Sequence, residues 1–186
     1  MSQPFKSDDG IDFDHHWRDE VPDAPDHTDN SIFGYLLEFL PSAPFMLLDL
    51  GCGAGRWSPA WLKLGAVYEG IDASPEGIKA AKERHPDLSF YQMRAQEMDF
   101  TEQFDVVFCH TFLQHTSLES KQRIFPRVYG ALKPGGLFIF EEKNDGEGAT
   151  YFTEEGWIRF TEPFGFKLLR STGANTRQNG FVFRKV

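Results

Sequence analysis

Asp49, Gly51, Gly53, Gly55 and Asp72 are the densest group of residues whose types and spacing suit ligand chemistry. Glycines at alternate positions, directly after the apolar run Met46–Leu50, let backbone approach a ligand with no Cβ in the way. Glycine turns at this point of an α/β sheet bind nucleotides, and the dinucleotide form is G-x-G-x-x-G with amides on a pyrophosphate. Here the spacing is G-x-G-x-G, and Arg56 stands where the third glycine of that form belongs. Asp49, two residues before the first glycine, suits an ammonium better than a pyrophosphate. The expected ligand is therefore zwitterionic. Asp72 lies twenty-one residues after Gly51, at the end of Val67–Ile71, where a carboxylate can accept both hydroxyls of an adenosine ribose. The competing reading has Asp72 cap the Ser74-Pro75 turn.

Residues that move protons cluster after a later apolar run, Phe104–Cys109. His110 and His115 are candidate bases because imidazole titrates near neutral pH. Equally, His115 can cap a helix while His110 shapes a pocket wall. Glu141, Glu142 and Asn144 follow the next run and can orient an amine nucleophile, or form a solvated loop. No metal site is expected, since His15, His16 and His27 lack a recognised ligand spacing among their neighbouring carboxylates.

These groups need a frame, and the chain supplies alternating strand-like and helix-like stretches. Strands are expected at Met46–Leu50, Val67–Ile71, Leu88–Met93, Phe104–Cys109 and Leu137–Phe140, with Phe166–Arg170 and Phe181–Arg184 as a closing hairpin. Helices are expected at Ile32–Leu40, after Ser58-Pro59 with Ser58 as cap, from Ser74-Pro75 to about Arg84, over Leu118–Leu132, and near Thr153–Glu162. Pro126 should kink the fourth of these. Such alternation predicts a doubly wound α/β domain with a mostly parallel sheet. Residues 31–186 form that domain. Residues 1–30, crowded with aspartates, read as a solvated and mobile arm in which only Phe13 and Trp17 ask to be packed. They are four apart and share a helical face.

The chain has 186 residues, about one domain, with 40% hydrophobic and 25% charged residues. Nineteen Phe and four Trp suit an apolar core or a pocket that stacks flat rings. A net charge of −9 argues against nucleic acid as partner and slightly favours an amine or a basic peptide. No apolar run is long enough for a membrane span, and the start Met1-Ser2-Gln3-Pro4 lacks the features of a signal peptide. Cys52 and Cys109, far apart in apolar contexts, point to free thiols and a cytoplasmic location.

Four stretches together resemble the class I S-adenosylmethionine-dependent methyltransferases. Leu48-Asp49-Leu50-Gly51-Cys52-Gly53-Ala54-Gly55 is similar to the family's first motif and Gly70-Ile71-Asp72-Ala73-Ser74 to its second. Phe104-Asp105-Val106-Val107-Phe108-Cys109-His110 resembles the fourth-strand motif, and Leu132-Lys133-Pro134-Gly135-Gly136 the turn before strand five. The resemblance implies seven strands with the last antiparallel, and S-adenosyl-L-methionine as cofactor. It places the cofactor's amino-acid end at Asp49, Gly51, Cys52, Gly53 and Arg56. The nucleoside falls to Asp72, Ala73, Ala95 and Gln96, with Cys109 and His110 beside the reacting group. Where the family shows an acid after strand three, this chain has Arg94, so adenine recognition passes to Gln96 or to backbone. His110, His115 and Glu142 are the candidate catalytic residues.

The implied reaction is methylation of N or O on a small-molecule or carrier-bound metabolite. A fainter similarity, in Gly55-Arg56, Leu113-Gln114-His115-Thr116 and Lys143-Asn144-Asp145, is to protein N-terminal methyltransferases. A catalytically silent binding module is the third reading, and the intact Asp49, Gly51, Gly53 and Asp72 argue against it. Nothing in the sequence sets the oligomeric state. Acceptor-facing residues are expected in the arm, as a lid, and in the loop 144–151.

Overall fold

The computed structural model describes residues 6–20, 26, 34–143, 152–172 and 178–186. Seven strands form one sheet: β1 Phe45–Leu50, β2 Ala66–Asp72, β3 Ser89–Gln92, β4 Phe104–His110, β5 Leu132–Lys143, β6 Phe166–Ser171 and β7 Gln178–Lys185. Their order is β3-β2-β1-β4-β5-β7-β6. The first five in that order are parallel, and β7 runs antiparallel to both β5 and β6. Strand order reverses between β1 and β4, and in such sheets the crevice outside the carboxyl ends at that point takes the ligand.

The central strands are apolar throughout because both faces of the sheet are covered. Leu47, Tyr68, Val106 and Phe108 point to one side, under Trp61 of α2 (Ser58–Lys63) and Ile78 of α3 (Pro75–Arg84). Leu48, Leu50, Val107 and Cys109 point to the other, under α4 (Leu118–Ala131) and α5 (Glu154–Thr161). The phenylalanine excess is mostly core. Phe125, Phe138, Phe140, Phe166, Phe181 and Phe183 pack in one cluster, with Phe140 stacked on Phe183 at 5.7 Å.

Several local expectations change. The helix expected over 32–40 is a run of turns from 34 to 39, closed by the short Phe39 N–H to Leu36 C=O bond. Only six residues lie between Gly34 and the Pro41 stop, too short a run to nucleate a stable helix. Ser58 does not cap α2: Trp57 holds that position without a side-chain bond, and the Ser58 hydroxyl is buried without a hydrogen-bond partner. Ser74 does cap α3, accepting from Gly77 N–H at 3.0 Å. Helix α4 continues through Pro126 to Ala131. Strand β5 begins before the expected Pro134-Gly135-Gly136 turn, which becomes an irregularity in its pairing with β4. Gly135 takes φ +76°, and a Cβ on Gly136 would stand 2.9 Å from the Lys133 carbonyl. Among the described residues, no helix is long and apolar enough to cross a membrane.

Candidate active site

At the carboxyl ends of β1, β2 and β4 lies a cavity of about 640 Å³, within the range of small-molecule sites. Its floor begins where β1 ends. Gly51 and Cys52 donate their amides to the Ile71 carbonyl at 2.8 and 3.0 Å, which turns the chain across the end of β2. Gly51 has φ +75° and Gly53 φ +51°, conformations that disfavour side chains. The groups that press on them are the protein's own rings. A Cβ on Gly51 would meet Phe112 at 2.5 Å, and one on Gly53 would meet Trp17 of the arm at 2.0 Å.

Asp72, at the end of β2, accepts from Gly53 N–H and from Ser74 N–H, both at 2.8 Å. Its carboxylate therefore locks the glycine loop to the start of α3, as the capping reading expects, and it also lines the cavity. Burial pushes its pKa up, against the pull of the two amides. Asp49 is elsewhere. It faces into the protein below the loop, where it accepts from the Tyr68 hydroxyl, and burial raises its pKa to about 7. Being buried in that pairing, it supports the loop and is not on the cavity wall.

The fourth strand delivers His110 to the wall and keeps Cys109 in the core, because neighbouring residues of a strand face opposite ways. The Cys109 thiol is pushed well up by burial, as is that of Cys52, which does reach the cavity. The His110 ring lies 4.8 Å from Trp57, with Nδ1 3.3 Å from the Thr111 hydroxyl. Thr111 takes φ +48°, a strained conformation for a branched residue, and turns the chain so that Phe112 packs against Gly51. The next turn hangs on Glu142. Its carboxylate accepts from the amides of Phe112, Leu113 and Gln114 at 3.2, 2.8 and 3.0 Å. Glu142 is buried behind the wall, with its pKa raised to about 7 by desolvation, so it positions the turn and does not itself reach the cavity. His115, at the end of that turn, has Nδ1 2.7 Å from Asp9 and Nε2 3.0 Å from the Gln114 amide.

The segment after β3 supplies Met93, Arg94, Ala95 and Gln96 to the wall, where Gln96 Nε2 donates to the Ser120 hydroxyl at 3.2 Å. The opposite wall is the arm. A three-residue helix, α1 (Phe13–His15), continues as a π-helix (His16–Glu20). Phe13 and Trp17 both line the cavity, as their spacing predicted they would share a face. Several of the described aspartates are anchored, which composition did not imply. Asp14 is buried and accepts from the Ser74 hydroxyl at 2.6 Å, while Asp8 accepts from Ser117 N–H at 2.7 Å, at the start of α4. Asp26 pairs with Arg84 at 3.1 Å. Helix starts attract carboxylates, which explains why an acidic segment docks here.

Gly51, Cys52, Arg56, Asp72, Ala73, Ala95, Gln96, His110 and His115 thus meet at one cavity, whereas Asp49, Gly53, Cys109 and Glu142 stand behind it. Trp57 and Phe112 were missed, since an isolated aromatic in a strand-to-helix loop carries no periodic signal. His27, Asn144 and the loop 144–151 lie outside the described residues. Among the described residues, no cluster of three or more His, Cys, Asp or Glu is arranged to hold a metal.

A family model described as "Methyltransferase domain" matches residues 48–140, which span β1 to β5 and every strand end that forms the cavity. The chain belongs to the S-adenosylmethionine-dependent methyltransferases. A ubiquinone biosynthesis O-methyltransferase of Bradyrhizobium sp. is 33% identical over 158 residues, covering 74% of this chain and 61% of that protein. The chain spans about half the length of the curated relatives it matches. Among solved structures, a SAM-dependent methyltransferase from Methanosarcina mazei superimposes with a TM-score of 0.72 at 18% identity, covering 82% of this chain and 97% of that one. Magnesium protoporphyrin IX methyltransferase from Synechocystis PCC 6803 with bound SAM gives 0.68 at 16% identity, with coverage of 84% and 77%. At these identities the likeness is one of fold.

The family's cofactor is S-adenosylmethionine, and this methyltransferase domain offers groups that fit it. The Asp72 carboxylate can take ribose hydroxyls, and the buried turn at Ala95 and Gln96 offers amides and an amide side chain to a base. Arg94 is on the wall at the position of the usual acid, and it cannot accept a hydrogen bond.

Proposed function

We propose that this protein transfers the methyl group of S-adenosylmethionine to an oxygen or nitrogen of a small molecule, with His110 as the base. The observation that carries this reading is one cavity that unites the glycine loop, Asp72 and His110 at the reversal point of the sheet. The cofactor supplies an electrophilic methyl on a sulfonium. The chain's own tasks are to align the acceptor, hold water out and take a proton. His110 lies at the strand end on the cavity wall, its ring beside Trp57 and its Nδ1 3.3 Å from the Thr111 hydroxyl. His115 is a weaker candidate, since both ring nitrogens already meet Asp9 and Gln114. Relatives named as ubiquinone biosynthesis O-methyltransferases favour oxygen over nitrogen. The arm, which forms one wall, acts as a lid that excludes water over the reacting groups.

Calorimetry with S-adenosylmethionine and with NAD, followed by assay of S-adenosylhomocysteine formation across a panel of phenols, amines and peptides, tests the proposal. Binding of the sulfonium ligand and turnover with a small phenol or amine are expected. Binding of NAD alone would end the methyltransferase reading, and turnover only on peptides would replace the acceptor class.

A further inference from the structure

The cavity wall has a charge opposite to that of the chain. Overall the protein carries −9, yet among the described residues the charged groups on this wall are Lys6, Arg56, Arg94 and Lys143 against Asp8 and Asp72. Both carboxylates are held by backbone amides: Asp8 by Ser117 at 2.7 Å, Asp72 by Gly53 and Ser74 at 2.8 Å. Of the other titratable groups described on the wall, His16, His110 and His115 are neutral or positive, and Cys52 is held as the neutral thiol by burial. S-adenosylmethionine carries a sulfonium, an ammonium and one carboxylate, so cofactor and wall share a net positive charge, which favours an anionic acceptor over a cationic one.

The rings define the shape of that anion. Trp57 and His110 lie 4.8 Å apart, Phe13 packs edge-on to His115 at 5.3 Å, and His16 to Trp17 at 5.1 Å. Flat faces on several sides of one space suit an aromatic ring better than a chain or a sugar. Lys6, Arg94 and Lys143 are exposed at the rim, so an acid group would sit toward the mouth and the ring toward His110.

We infer that the methyl acceptor is a small aromatic acid, its ring held among Phe13, Trp57 and His110 and its anionic group by Lys6, Arg94 and Lys143. This rests on the methyltransferase reading and sharpens it. The net charge of the chain favours a cation at long range; the wall selects the opposite sign on contact, where the local groups dominate.

Three probes of equal size separate the signs: 3-hydroxybenzoate, 3-hydroxybenzamide and 3-hydroxybenzylamine. Each is titrated by calorimetry into the full chain saturated with S-adenosylhomocysteine, so the readout does not depend on turnover. The acid is expected to bind at least tenfold tighter than the amide and the amine, with an advantage that shrinks as salt rises. In the double variant Lys6→Gln/Lys143→Gln, with an unchanged melting temperature as the folding control, the gap should fall to about threefold or less. Equal affinity for the three probes, tighter binding of the amine, no binding of any probe, or a gap that survives the double variant would each overturn the inference. If S-adenosylhomocysteine binds while the acid shows no advantage, only the acceptor class fails. If S-adenosylhomocysteine does not bind at all, the methyltransferase reading fails with it.

Discussion

A single residue can stand in a binding motif and yet do its work away from the ligand. Asp49 is the example: its carboxyl, raised to about 7 by burial, is paired with Tyr68 beneath the loop. A carboxyl raised on folding stabilises the protein fully below its unfolded range near pH 4, and that contribution is lost as pH climbs to about 7. Urea unfolding between pH 4 and 8 should therefore show stability falling with pH. Asp49→Asn should flatten the slope by about 1–3 kcal/mol, leaving a residue of it from Glu142, which is raised in the same direction. His110 is the proposed base, and on that proposal His110→Ala should lower kcat about 10²–10⁴-fold with cofactor affinity nearly unchanged. An equal loss of affinity in binding and rate measurements would make it a wall residue. Gly53→Val should expel Trp17, since a Cβ there stands 2.0 Å from the indole at φ +51°. Loss of the Trp17 fluorescence response to ligand would report it.

At the scale of elements, Glu142 shows how one strand holds another's loop. The side chain leaves β5 and gathers three amides of the turn after β4, while Gln114 Oε1 returns a bond to Lys143 N–H at 3.1 Å. Behind them Lys121 is fully buried on α4, donates to the Thr116 carbonyl, and has its ammonium pushed down to about 8 by desolvation. Glu142→Ala leaves those amides without their acceptor and should cost about 2–4 kcal/mol in urea unfolding, with a fall in turnover as His115 and Gln114 lose their register. Glu142→Gln, which keeps an acceptor, should recover most of the stability. Stability equal to wild type in the alanine variant would show that water serves the turn as well as the carboxylate does.

On the scale of the whole molecule, the arm and the sheet form one site from two independent parts. Among the described residues before Tyr35, none enters either hydrophobic cluster, so the sheet is expected to keep its core without the arm. Deleting residues 1–28 should leave a cooperative thermal transition but reduce cofactor affinity and turnover by about tenfold or more, the mark of a lid. Unchanged kinetics after the deletion would reduce the arm to a tail. Gly53→Val should approach the deletion phenotype, because both remove Trp17 from the glycine loop.

The sequence by itself determined the strand and helix order from Met46 onward, the glycine turn, Asp72 and the family. Each of these is written locally, in apolar runs, cap residues and spacing that need no distant partner. The short segments were less legible: residues 34–39 and Ser58 follow their neighbours in space, not their own propensities. Tertiary structure alone decided which motif residues reach the cavity. Residues next to one another in a strand face opposite ways, so His110 meets the cavity and Cys109 the core. It also decided the fate of the aspartates of the arm. Composition makes them a solvated tail, and only the position of two helix starts and His115, brought together by the fold, turns them into anchors.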